Sequence, residues 1–222
     1  MEWGFKSLQA HQLTKFNMWT FDDNVAEIFP SHARQHIPGY DRVIQKTLDI
    51  CADYCADSVI VDVGCAVGET LVKLHHNGFT NLYGVDNSQS MLDRCPKNIG
   101  VEYILSENFD INLKFDVIII NWTLHFVKDK RHYLEQVRKR LNPGGTLVLT
   151  DKTSEDPFTL KHYHNIKRQN GVSEAEVVAK QKSLENVMHI KDVQWYLTTF
   201  MLEGFTTHIF DADWCFTSFV CK

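Results

Sequence analysis

The strongest chemical signal in the chain is a small-residue turn, Gly64-Cys65-Ala66-Val67-Gly68, followed 22 positions after Gly64 by a single carboxylate, Asp86. Small residues at 64, 66 and 68 let the backbone approach a ligand and let a following helix pack closely. Asp86 closes the next apolar stretch, where a carboxylate can accept hydrogen bonds from both hydroxyls of a ribose. Taken alone, Asp86 reads as an acid at the helix start marked by Ser88. Together, the turn and the acid point to a crevice for an adenosine-bearing ligand. They leave NAD open, although Gly64-x-x-x-Gly68 with Ala66 between departs from the dinucleotide spacing.

Other side chains could act beside that crevice. Asn121 ends an apolar run and could face a ligand or simply cap a turn. Tyr40 and His125 are the candidate general bases; Tyr40 also reads as a core aromatic after Pro38-Gly39, and His125 as a polar surface residue of a helix after the fourth strand. No metal site is expected. Cys51 and Cys55 lie one helical turn apart without a second ligand pair at a zinc spacing. His32 and His36 lack the intervening Glu of a zinc-protease helix, and with His162 and His164 they read as lid or surface residues.

These residues need a scaffold, and the pattern supplies one. Ser58–Val63, Asn81–Val85, Val101–Leu105, Phe115–Ile120 and Thr146–Thr150 read as strands by their apolar and β-branched content. Helices are expected over 68–77, 88–95 and Lys130–Leu141, the last stopped by Asn142-Pro143-Gly144-Gly145. Strand-helix alternation of this kind builds a parallel, doubly wound Rossmann-like α/β sheet. Thr206–Phe210 and Trp214–Val220, joined by Asp211-Ala212-Asp213, add an antiparallel edge hairpin and bring the sheet to seven strands. Residues 1–222 read as one domain, with a helical lid over 1–50 and a helical insertion over 156–203 covering the carboxyl edge.

With 222 residues, 44% of them hydrophobic, the chain can bury a full core without staples. Six cysteines without a signal peptide, and no run of about 18 apolar residues, predict a cytoplasmic protein with reduced thiols and no membrane span. A net charge of −5 argues against direct nucleic-acid binding.

The closing hairpin and Leu141-Asn142-Pro143-Gly144-Gly145 resemble class I methyltransferases that use S-adenosyl-L-methionine. Longer motifs narrow the likeness. Trp19-Thr20-Phe21-Asp22-Asp23-Asn24-Val25-Ala26-Glu27-Ile28-Phe29-Pro30, Ile37-Pro38-Gly39-Tyr40, Val85-Asp86-Asn87-Ser88, Asn121-Trp122-Thr123-Leu124, Lys167-Arg168-Gln169-Asn170-Gly171-Val172-Ser173-Glu174 and Leu184-Glu185-Asn186-Val187-Met188 are similar to segments of carboxy-S-adenosylmethionine synthases. That family makes carboxy-S-adenosyl-L-methionine from S-adenosylmethionine and prephenate, for modification of a tRNA wobble uridine by a partner enzyme. The resemblance implies a cofactor site at Tyr40, Gly64, Cys65, Ala66, Asp86, Asn87, Glu107, Asn108, Asn121 and Gln181, and a homodimer. An acid at the third strand's end, Glu107 or Asp110, would hold the adenine.

Two positions depart from that pattern. Gln181 stands where the family has an Arg that grips the carboxylate on the modified methyl group, and an amide lacks the charge of a guanidinium fork. Lys180 and Lys182 flank it, about 100° to either side on a helix. Glu107-Asn108 stands where an Asp and an aliphatic residue are usual. The departures predict methyl transfer to a small-molecule acceptor, with synthase chemistry on prephenate as the alternative and a catalytically silent cofactor-binding subunit as a third. The aromatics Trp3, Phe5, Phe16, Trp19 and Phe21 are candidates to line the acceptor pocket.

Overall fold

A computed structural model describes residues 23–107, 109 and 111–222. The aromatics between Trp3 and Phe21, together with Asn108 and Asp110, therefore lie outside the described residues. Strands β1 (Val59–Val63), β2 (Asn81–Asp86), β3 (Val101–Leu105), β4 (Phe115–Asn121), β5 (Leu141–Lys152), β6 (Thr207–Asp213) and β7 (Phe216–Cys221) form one sheet in the order β3-β2-β1-β4-β5-β7-β6. The first five are parallel. β7 runs against both β5 and β6, so the reversed strand sits one place in from the edge.

Alternation along the central strands decides which helices cover which face. Ile118, Ile120, Leu147 and Leu149 pack with Leu134 and Val137 of α5 (Lys130–Arg140) and with Tyr196 and Phe200 of α8 (Val193–Leu202). Val117, Ile119 and Val148 turn the other way. They meet α2 (Tyr40–Cys51), α3 (Glu69–His76) and α4 (Gln89–Asp93) through Ile44, Leu71 and Leu92. As expected, Ser88 caps α4 by accepting from Met91 N–H.

Two turns fall elsewhere than the sequence suggests. β5 begins at Leu141, opposite Phe115, and residues 142–145 bulge before Thr146 pairs with Val117. Asn142 holds the bulge by donating to Asp116 (2.7 Å), and Gly144 permits it at φ 79°. In the hairpin, Asp211 and Asp213 stay in β6, because Arg42 and Lys46 of α2 ion-pair with Asp211 and Arg42 also reaches Asp213. The reversal is a two-residue turn, Trp214-Cys215, with Trp214 at φ 48°.

The helical stretch between β5 and β6 splits three ways. α6 (Pro157–Gln169) and α7 (Glu174–Leu184) lie over the carboxyl edge with α1 (Asp23–His36), whereas α8 packs on the sheet face. Asn170, just past α6, donates to the carbonyls of Arg34 and Gln35 at the end of α1. No helix among the described residues is long and apolar enough to cross a membrane.

Candidate active site

A cavity of about 600 Å³ opens at the carboxyl ends of β1, β2, β4 and β5, beneath α1, α6 and α7. Its wall contains Tyr40, Gly64, Cys65, Ala66, Asp86, Asn87, Glu107, Asn121, His125 and Gln181. Every candidate residue within the described part of the chain thus reaches one space. Asn87 and Glu107 are exposed at its rim.

The turn after β1 is built by backbone constraints that its sequence declares. Gly64 (φ 74°) and Cys65 both donate to Val85 O, at 2.7 and 3.0 Å, which ties the turn to β2. A Cβ on Gly64 would lie 2.0 Å from Thr123 Oγ1, so glycine is required there by Thr123 as well as by any ligand. Gly68 (φ 78°) starts α3. Ala66 takes a left-handed conformation at φ 48°, which costs a non-glycine residue about 1 kcal/mol or more. Asp86 holds it there by accepting from Ala66 N–H (2.9 Å) with one oxygen while the other accepts from Ser88 N–H (2.9 Å). Burial raises the Asp86 carboxyl, and the N–H groups of Ser88, Ala66 and Asn87 pull it back.

Asp62, buried beneath this turn, is pushed up to about 7 by burial and then by the charge of Asp86, against a hydrogen bond from Thr70. An unfolded Asp titrates near 4. The folded chain therefore holds the extra proton between about pH 4 and 7, and it loses stability as pH rises through that window. Asp62→Asn is expected to flatten this part of the stability curve and to raise Tm at pH 8. Thermal melts of both proteins from pH 5 to 8 check it.

After β4 the chain supplies a second wall. Asn121 donates to Thr47 Oγ1 (3.3 Å), and its Oδ1 is buried with no partner among the described residues. Trp122 (φ 55°) stacks on Tyr40 at 4.7 Å and leaves its buried Nε1 equally unsatisfied. Burial, then the Glu69 charge, pushes the Tyr40 phenol upward, so it keeps its proton. His125 lies in a short 3-10 turn, Leu124–Phe126, and is buried, contrary to the surface helix position read from sequence. The turn carries it inward because its N–H donates to Asp151 Oδ1 (2.9 Å).

The third wall is lined by buried lysines and histidines. Lys167 of α6 is 2% exposed with its ammonium over the Tyr163 ring at 4.1 Å. Burial and then Lys152 push it down to about 7. Lys180 of α7 is pushed down to about 5 by burial and then by Lys167. His32 and His36 stack at 3.9 Å and face this wall rather than solvent, lowered to about 3 and about 4, chiefly by burial. Gln181 accepts from His164 Nε2 at 3.0 Å. The helical offset expected to turn both flanking lysines aside does so for Lys182 alone, which is exposed; Lys180 lines the cavity with Gln181.

Asp151, Tyr196 and Lys167 escaped the sequence reading. Asp151 had a signal, an acid directly after an apolar strand at the sheet's carboxyl edge. Lys167 had another, a cation four positions after Tyr163 on a helix's apolar side. Tyr196 had none, since only the fold brings α8 to β5. The cavity fits S-adenosylmethionine: an orphaned amide acceptor at Asn121 suits its ammonium, and a strand-end carboxylate beside the Gly turn suits its ribose.

Comparison with known proteins agrees with this geometry. A family profile described as "Methyltransferase domain" matches residues 56–200. The carboxy-S-adenosyl-L-methionine synthase of Yersinia enterocolitica is 33% identical in an alignment of 218 residues that covers 90% of this chain and 82% of the relative. That of Yersinia pestis is 32% identical with the same coverage. Among solved structures, the plantazolicin methyltransferase BpumL with S-adenosylhomocysteine has a TM-score of 0.67 at 14% identity, covering 90% of this chain and 91% of that one. Magnesium protoporphyrin IX methyltransferase from Synechocystis has a TM-score of 0.61 at 13% identity, covering 85% and 84%. These structures share the fold.

Proposed function

This chain belongs to the S-adenosylmethionine-dependent methyltransferase family, beside the carboxy-S-adenosylmethionine synthases, and on that premise we propose that it methylates a small-molecule acceptor. The observation that carries the reading is Gln181: at the position where the resemblance implies an Arg, the cavity wall holds a neutral amide engaged by His164. The cofactor brings a methyl carbon activated by a sulfonium, so a pocket that sets an acceptor in line supplies much of the catalysis. In this reading Asp86 binds the ribose, Glu107 flanks the adenine, and Asn121 Oδ1 takes the ammonium. Gly64, Cys65, Ala66 and Asn87 shape the floor. Tyr40 and Trp122 close the side, and α1 with α6 and α7 forms a lid that excludes water.

The lysine wall favours a second reading, carboxy-S-adenosylmethionine synthesis, because Lys167 and Lys180 could take the carboxylates of prephenate. The likeness to the synthases also supports a homodimer working in the cytoplasm. One incubation separates the readings: pure protein with S-adenosylmethionine and a set of hydroxybenzoates, with and without prephenate, followed by mass spectrometry. Methylated hydroxybenzoate and S-adenosylhomocysteine support methyl transfer. Carboxylated cofactor formed only with prephenate replaces it by the second reading.

A further inference from the structure

Behind the cavity, three elements bring together a buried chain of proton-sharing groups. His125 Nδ1 lies 2.5 Å from Asp151 Oδ1, on β5. Tyr196 of α8 donates its O–H to Asp151 Oδ2. Asp151 and Tyr196 are 0% exposed and take no part in the cavity wall, whereas His125, 6% exposed, does. The order from the cavity inward is therefore imidazole, carboxylate, phenol.

We propose that His125 is the general base of the transfer, with Asp151 and Tyr196 as positioning residues, and that the acceptor accordingly presents an O–H or N–H to the cavity. This inference rests on the methyl-transfer reading above. A carboxylate that accepts from the backbone N–H of a histidine and also faces its Nδ1 fixes the ring and favours the tautomer with the proton on Nδ1. Nε2 is then left bare, on the one member of the three that lines the cavity. Tyr196 fills the other oxygen of Asp151, so the carboxylate cannot rotate away. Lys130 of α5 also acts on Asp151, but its ammonium is committed to the carbonyls of Leu124 and Val127, with Lys191 beyond it. His189 donates its backbone N–H to His125 O (2.7 Å). Tyr40, the other candidate base, holds its proton too firmly for the task.

The step balances without a further reagent. The acceptor's proton passes to Nε2 as its oxygen or nitrogen bonds to the methyl carbon. The carbon-sulfur bond breaks with its electron pair kept on sulfur, and the imidazolium later returns the proton to water.

Nitrogen-15 NMR of the histidine-labelled protein tests the arrangement without any acceptor. The expected spectrum shows His125 protonated at Nδ1 and bare at Nε2, and Asp151→Asn and Tyr196→Phe each erode that preference. A wild-type ring protonated at Nε2 would overturn the proposal even if methyl transfer is observed. With S-adenosylmethionine and the hydroxybenzoates, His125→Asn, which keeps an N–H for Asp151, should slow methylation at least about 100-fold. Cofactor affinity by calorimetry should stay within about twofold. Methylation in that variant within threefold of wild type also overturns it. A wild type with the expected tautomer that methylates none of these acceptors would count against the methyl-transfer reading instead.

Discussion

Replacing Asp86 by alanine is expected to weaken S-adenosylmethionine binding at least tenfold. Two effects add. The ribose loses an ionised acceptor, and hydrogen bonds to charged groups contribute about 1.5–3 kcal/mol each. The turn loses the carboxylate that draws in Ala66 N–H and keeps that residue at φ 48°. A tenfold loss needs only about 1.4 kcal/mol, so the expectation is conservative. Asp86→Asn, which keeps one acceptor oxygen, should fall between the two proteins. Titration calorimetry decides the matter, and an unchanged dissociation constant in the alanine variant would remove Asp86 from the ribose.

Gln181→Arg is expected to shift preference toward the carboxylated cofactor by one to two orders of magnitude, while the wild type binds plain S-adenosylmethionine at least as well as the carboxylated form at pH 8. Bringing a carboxylate into a pocket strips its hydration, and without a cation that loss is not offset. The lysines beside Gln181 qualify the argument in a measurable way. Burial holds Lys180 near 5 and Lys167 near 7. Both are largely neutral at pH 8, and each pH unit spent recharging such a group costs about 1.4 kcal/mol. Lowering the pH through 7 charges Lys167 first, so wild-type affinity for the carboxylated cofactor should rise on acidification. In Gln181→Arg it should change far less, because a guanidinium is charged throughout. The measurement is a set of dissociation constants for both cofactors at pH 6 and 8. Clear wild-type preference for the carboxylated form at pH 8 would mean that the lysines replace the arginine, and the synthase reading would stand.

Much of this was legible in the residues because it depends on local rules. The alternation of apolar runs with helical segments gives the parallel sheet, and β2, β3 and β4 begin at Asn81, Val101 and Phe115, as expected. Gly64 and Asp86 stand out in the sequence because a tight turn and a strand-end acid leave marks at fixed spacing. The misplaced turns show the limit. Asn142-Pro143-Gly144-Gly145 has the composition of a helix stop, yet Asp116, distant in sequence, captures Asn142 and lets the strand start early. Asp211 and Asp213 look like turn residues until Arg42 and Lys46 are placed against them. His125 fails in the same way: its burial follows from Asp151, and no periodicity in its own segment reports that partner.

The ion pairs at the rim of β6 have a consequence for colloidal behaviour. An edge strand offers unpaired backbone groups to any other strand, and a second copy of itself is the nearest candidate in a concentrated solution. β6 carries an exposed Ile209, which alone would invite such growth. Two copies laid edge to edge would crowd Asp211 and Asp213 of each against the other, and would compete with Arg42 and Lys46 for them. The strand is therefore guarded against self-templated aggregation by the same contacts that keep it in register, and that guard weakens as salt screens it.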